Sequence, residues 1–187
     1  MTKVARIITD VFQPRNIILV GLVAVGARHG FVGVGWAILG AACAAVIPAW
    51  VLNRGVREGA FDDRHIERRQ NRTVIFTLMI TLMIVCLAVM FWLHAPTAVT
   101  ASVTGLAVTT VGLALINHWW KISVHTAAAG CLAAALSATY GSWFLALYTM
   151  VVAIGWSRVA LRSHTAGQVA AGAALGTAAA SAAFLVW

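Results

Sequence analysis

The stretch VIFTLMITLMIVCLAVMFWLH, residues 74–94, runs for twenty positions without a charge before its closing histidine. A helix of that length rises about 30 Å, the thickness of a bilayer's hydrocarbon core. In lipid a backbone must satisfy its own hydrogen bonds, so such a stretch is a helix or it does not cross. Further apolar runs occupy about 16–28, 31–52, 97–117, 122–140, 141–156 and 165–187. The first is short: it reads as a tilted span, as the continuation of a helix that starts before Pro14, or as a re-entrant piece. HAP (His94–Pro96) and YGS (Tyr140–Ser142) supply tight turns between antiparallel helices. The expected fold is therefore all-α. It is a polytopic transmembrane helical bundle of about six core helices, plus a short N-terminal or re-entrant helix. The 187 residues suit one domain, 1–187, with a polar N-terminal segment 1–15 and a basic loop 53–73. The opening MTKVARIITDVFQPRN is too polar for a secretory signal peptide. Cys43, Cys86 and Cys131 lie in apolar runs without paired spacing, as small buried hydrophobes rather than a disulfide or zinc framework.

Three polar intervals remain beyond the N-terminal segment: 53–73, 117–125 and 156–168. Two spans separate each from the next, so all three emerge on one face. If 16–28 and 31–52 form a hairpin, the N-terminus joins them. All 13 basic residues except Arg28 then share that face, which the positive-inside rule makes cytoplasmic in an integral protein of the cell's inner or plasma membrane. Lys3, Arg6 and Arg15 are expected outside the site and point the same way.

The charge is one-sided along the chain as well. All five acidic residues (Asp10, Glu58, Asp62, Asp63, Glu67) precede residue 68, so Lys121, Arg158 and Arg162 have no carboxylate nearby in sequence. Arg54 and Arg57 suit a belt that reaches to lipid headgroups. Cations gathered without partners at a membrane edge ask for an anion, and guanidinium groups match phosphate in bidentate fashion. His125 and His164 each stand where a helix begins on that face, and helix N-termini favour bound anions. One neutral imidazole can attack phosphorus while a second, protonated, supplies the leaving oxygen's proton. His29 and His94 fall on the opposite face and are structural.

These residues resemble the type 2 phosphatidic acid phosphatase superfamily of integral-membrane lipid phosphatases. Its third motif, S-R-x5-H-x3-D, is matched by Ser157-Arg158, His164 and, in the aspartate's place, Gln168. Its second, P-S-G-H, appears as Ile122-Ser123-Val124-His125, and its first, K-x6-R-P, as Arg72 before Thr73, with His65 seven residues earlier and Arg64 beside it. The resemblance covers about 62–176. It implies a metal-independent phosphatase that needs no cofactor, with His164 as nucleophile forming a phosphohistidine and His125 protonating the leaving oxygen. Arg158, Ser123 and Arg72, with Arg64 as its companion, would hold the phosphate oxygens. The charge argument alone adds Lys121. Gln168, four residues after His164, shares a helical face with it and would orient the ring through its amide oxygen without bringing a negative charge.

The expected substrate is a lipid phosphate or diphosphate reached from within the bilayer. An isoprenoid or polyprenyl diphosphate comes first and a phosphatidic-acid-type lipid next; no nucleic-acid partner is expected. The alternative is a non-hydrolytic lipid-phosphate binder or transporter on the same bundle. GAALG, Gly172–Gly176, permits close helix approach. Packing within the bundle is its first reading and a homodimer contact the second.

Overall fold

The structure is a computed structural model that describes residues 2–59 and 69–187, the side chains of 69–72 excepted. The described residues form helices and no strand. In order they are α1 (Thr2–Val11), α2 (Pro14–Ala27), α3 (Gly30–Ala41), a π-helical turn (Ala42–Val46) and α4 (Ile47–Arg57), then α5 (Arg69–Trp92) and α6 (Thr97–Ile116). The chain ends with α7 (Val124–Tyr140), a 3₁₀ turn (Ser142–Leu147), α8 (Tyr148–Ala160) and α9 (Ala166–Val186). Five helical stretches are long and apolar enough to cross a membrane, and α1 with α2, bent by 49°, would be a sixth if the pair is one span. The apolar runs thus mark a helical membrane bundle, as expected.

Each of the chain's three prolines sets a local feature. Pro14 cannot donate to α1 and its ring crowds the preceding turn, so the helix breaks there and restarts; Asn16 Nδ2 donates to the Val11 carbonyl across the bend at 3.0 Å. The first apolar run forms α2, which starts at Pro14 itself, and α1 with α2 is a broken span or a re-entrant loop. Most of the 1–15 segment is therefore helical. Ala5 is buried, Ile8 and Phe12 pack on the core, and Val4, Ile7 and Val11 stay exposed. Pro48 would clash with the carbonyl four residues back, at Ala44. The helix widens just before it, and Ile47 N–H bonds Ala42 O, five residues back. Pro96 N-caps α6.

At the centre stands α7, rich in alanine and buried along most of its length. It packs on α9, α2, α6 and α8. Its contact with α9 is the closest in the bundle. A Cβ at Gly172 would sit 2.5 Å from the Ser123 carbonyl oxygen, and one at Gly176 would collide with the Ala127 carbonyl. Small residues spaced by four let backbones approach this far, so the GAALG face packs inside the bundle. Hydroxyls buried in α6 are satisfied by their own helix: Ser102, Thr109 and Thr110 donate to Ala98, Gly105 and Leu106 carbonyls at 2.7–2.8 Å.

The exposed tryptophans sort into two groups. Trp50, Trp119, Trp120 and Trp156 lie toward the end of the bundle that carries the basic residues; Trp92, Trp143 and Trp187 lie toward the other. Paired aromatic belts mark the two interfaces of a membrane protein. Between them α6, at 20 residues, rises about 30 Å.

Candidate active site

The C-terminus of α8 aims His164. Ser163 N–H bonds the Arg158 carbonyl at 3.0 Å and Arg162 N–H the Val159 carbonyl at 2.9 Å, the pair of bonds that closes a Schellman motif. Arg162 takes the left-handed position usually given to glycine, with φ 54°. The chain then reverses, His164 N–H also reaches the Arg158 carbonyl, and Thr165 N-caps α9. His164 is therefore not on the helix that carries Gln168. Gln168 closes a capping box while its amide also reaches His164: its Oε1 accepts the Thr165 N–H at 3.0 Å and Thr165 Oγ1 accepts the Gln168 N–H at 3.3 Å. Thr165→Ala should lower stability by about 1 kcal/mol, read as a fall of a few degrees in melting temperature in detergent.

The group that orients His164 is a backbone carbonyl that the sequence does not advertise. His164 Nδ1 lies 3.2 Å from Lys121 O, in the α6–α7 connection. A carbonyl only accepts, so Nδ1 carries the proton and Nε2 keeps its lone pair. The ring is half-buried, and desolvation pushes its pKa below the usual histidine value. The Lys121 carbonyl opposes that shift, the Arg158 and Lys121 charges add to it, and the Gln168 amide opposes it more weakly. The result is an imidazole that stays neutral where an ordinary histidine begins to charge.

The two loops are tied together beneath it. Ser123 N–H bonds the Gln168 carbonyl at 3.2 Å, and Thr126 Oγ1 bonds the Val169 carbonyl at 2.9 Å. The parity of the spans is thus seen directly, with 117–125 and 156–168 at one end. Ser123, expected on the phosphate, is fully buried, and its hydroxyl N-caps α7 by accepting the Thr126 N–H. What it visibly does is fix the start of α7, two residues before His125.

His125 faces a cavity of about 540 Å³. Arg158, Asp10, Arg15 and Asn53 share its polar part. Arg158 Nε is buried and has no hydrogen-bond partner among the described residues, a costly state unless a ligand supplies an acceptor. Arg158 thus serves both halves of the site: it lines the cavity with His125, and its charge is felt at His164. Among the described residues the other buried side-chain donor without a partner is Asn117 Nδ2, at the end of α6 on the same face. Lys121 is exposed above this group. Arg72 is placed only as backbone in the first turn of α5, and Arg64 lies outside the described residues.

Arg15 was expected away from the site, and here the structure differs: it lines the cavity, as does Asp10. The reason is the bend at Pro14, which lays α1 along α8. Thr9 Oγ1 lies 3.1 Å from Ser157 Oγ. Ser157 donates to Ile154 O at 2.7 Å, so Thr9 is the donor of that contact. Compared with family models, with curated proteins and with solved structures, the chain matches none.

Proposed function

We propose that this chain is a membrane-embedded, metal-independent phosphatase acting on a lipid phosphate or diphosphate through a phosphohistidine, with its site facing the cytoplasm. The observation that carries the reading is the pairing of a neutral, carbonyl-oriented His164 with Arg158, whose buried Nε lacks an acceptor among the described residues. In the first step His164 Nε2 donates its lone pair to phosphorus. The bond from phosphorus to the leaving oxygen breaks, and that oxygen takes a proton from His125. In the second, water attacks the phosphohistidine, giving its proton to His125 as the N–P bond breaks. Arg158, joined by Arg15 and by Lys121, balances charge on the phosphoryl oxygens. The starts of α7 and α9 meet at this point and add their N-terminal dipoles. The Lys121 carbonyl does the orienting that the family's aspartate does, without its charge.

Purified protein in nanodiscs, offered alkyl phosphates, isoprenoid diphosphates and a diacyl phosphate, should release inorganic phosphate, and excess chelator should leave the rate unchanged. The alternative reading, a non-hydrolytic binder or transporter, is favoured by one observation: no carboxylate bonds His164 among the described residues. Saturable binding with no phosphate release would transfer the assignment to it.

A further inference from the structure

The cavity is polar at one end and apolar below, and helix register measures its depth. Asp10, Arg15, Asn53, His125 and Arg158 lie within about two turns of an element end on the basic face. Leu106 lies ten residues inside the end of α6, and Ala45 eight residues before Asn53, so the apolar part reaches about 12–15 Å inward. Ile18, Met79 and Ala128 complete that part. Thr109 and Thr110, on the wall, spend their hydroxyl protons on their own helix and so ask little of a ligand.

From this we infer that the cavity is a measured slot for one hydrocarbon chain, and that the alanines of the π-helical turn set its length. The inference rests on the proposed phosphate site for the head of the ligand. An extended chain advances about 1.2 Å per bond, so that apolar depth takes roughly 10 to 13 carbons below the seated phosphate. One chain fills that path, and a longer tail gains no further contact along it. The ligand class is therefore a single-chain phosphate or diphosphate, short isoprenoids included. The helix that widens ahead of Pro48 presents Ala44 and Ala45 to the cavity. Any larger residue there shortens the slot; truncating Leu106 lengthens it.

The test is competition by C8, C12, C16 and C20 alkyl phosphates against a fluorescent dodecyl phosphate, in nanodiscs of fixed composition. Partition into the lipid then cancels between variants. In the wild type, affinity should climb to about C12 and gain nothing from C16 to C20. Ala45→Leu should weaken C16 about tenfold, the burial of one or two methylenes, with C8 within twofold. Leu106→Ala should move the limit toward C20, a change of opposite sign that misfolding cannot produce. Affinities that rise steadily to C20 and ignore both substitutions would overturn the slot, as would a diacyl phosphate that binds as tightly as C16. Binding is the readout, so the slot and the phosphatase reading fail separately. Chain-length-dependent affinity without phosphate release would sink only the second.

Discussion

His164→Ala should lower phosphate release at least about a thousandfold, because it removes the atom that bonds to phosphorus. His125→Ala should cost about 10²–10⁴, the range for a general acid, and its deficit should shrink on an aryl phosphate whose leaving oxygen needs no proton. His164→Ala should show no such relief. That difference separates the two roles, which a merely structural pair of histidines would not do. The pH profile adds a second check. Burial holds the His164 pKa below 6.5, so the neutral, attacking form persists as the pH falls through that value. The acid limb of kcat/KM should lie below pH 6.5, where an unperturbed histidine would put it. The sign for stability follows from the same shift. The unfolded chain takes up a proton near pH 6.5 while the folded ring resists, so this group's contribution favours folding above that pH and is lost below it. An acid limb at or above 6.5, or equal effects of both substitutions on both substrates, would remove the assigned roles.

Gly176→Leu should prevent assembly of the bundle or lower its stability by about 3 kcal/mol or more. A Cβ there would collide with the Ala127 carbonyl and lie 2.8 Å from the Cys131 nitrogen. Both are backbone atoms of the central helix, which cannot step aside as a flexible side chain does, and overpacking of a close contact costs about 1–3 kcal/mol even where side chains yield. The damage should reach the site. About two turns back along α9, the Ser123–Gln168 and Thr126–Val169 bonds pin it to α7, next to the Lys121 carbonyl that meets His164. Gly35 offers the control, since a Cβ there meets nothing within 4 Å. Thermal unfolding of Gly35→Ala should match wild type in detergent, while Gly176→Leu should melt far lower or not be recovered folded. Equal melting of the two would show that the α7–α9 contact is looser than described.

The apolar runs made most of the fold legible, because span length and hydrophobicity are summed properties that survive errors at any one residue. The shared face of the loops was legible for a related reason, since counting spans needs no contact geometry. The fine aim of the site was not. Gln168 read as a helical neighbour of His164 by spacing, yet Thr165-x-x-Gln168 is also a capping box, and that use excludes His164 from the helix. The signal stood in the sequence and competed with another at the same residues. The Lys121 carbonyl had no signal at all, because a backbone atom has no residue type. Asp10 and Arg15 belonged to a segment read as peripheral. What brings them to the cavity is the bend at Pro14 and the Thr9–Ser157 contact across 148 positions, a tertiary outcome that no local pattern encodes.

The enclosure of α7 bears on how the chain enters the bilayer. Its 17 residues are mostly small, and packing with α9, α2, α6 and α8 shields them from lipid in the finished bundle. During synthesis α7 emerges before α8 and α9 exist, and alanine and glycine give it little insertion drive of their own. It must therefore cross as the second arm of a hairpin with α6. The face that meets α9 stays uncovered until Gly172 and Gly176 are laid against it. The residues that position the histidines become neighbours only at that final step, so a chain stopped before α9 is without a site even though His125 and His164 have both been made.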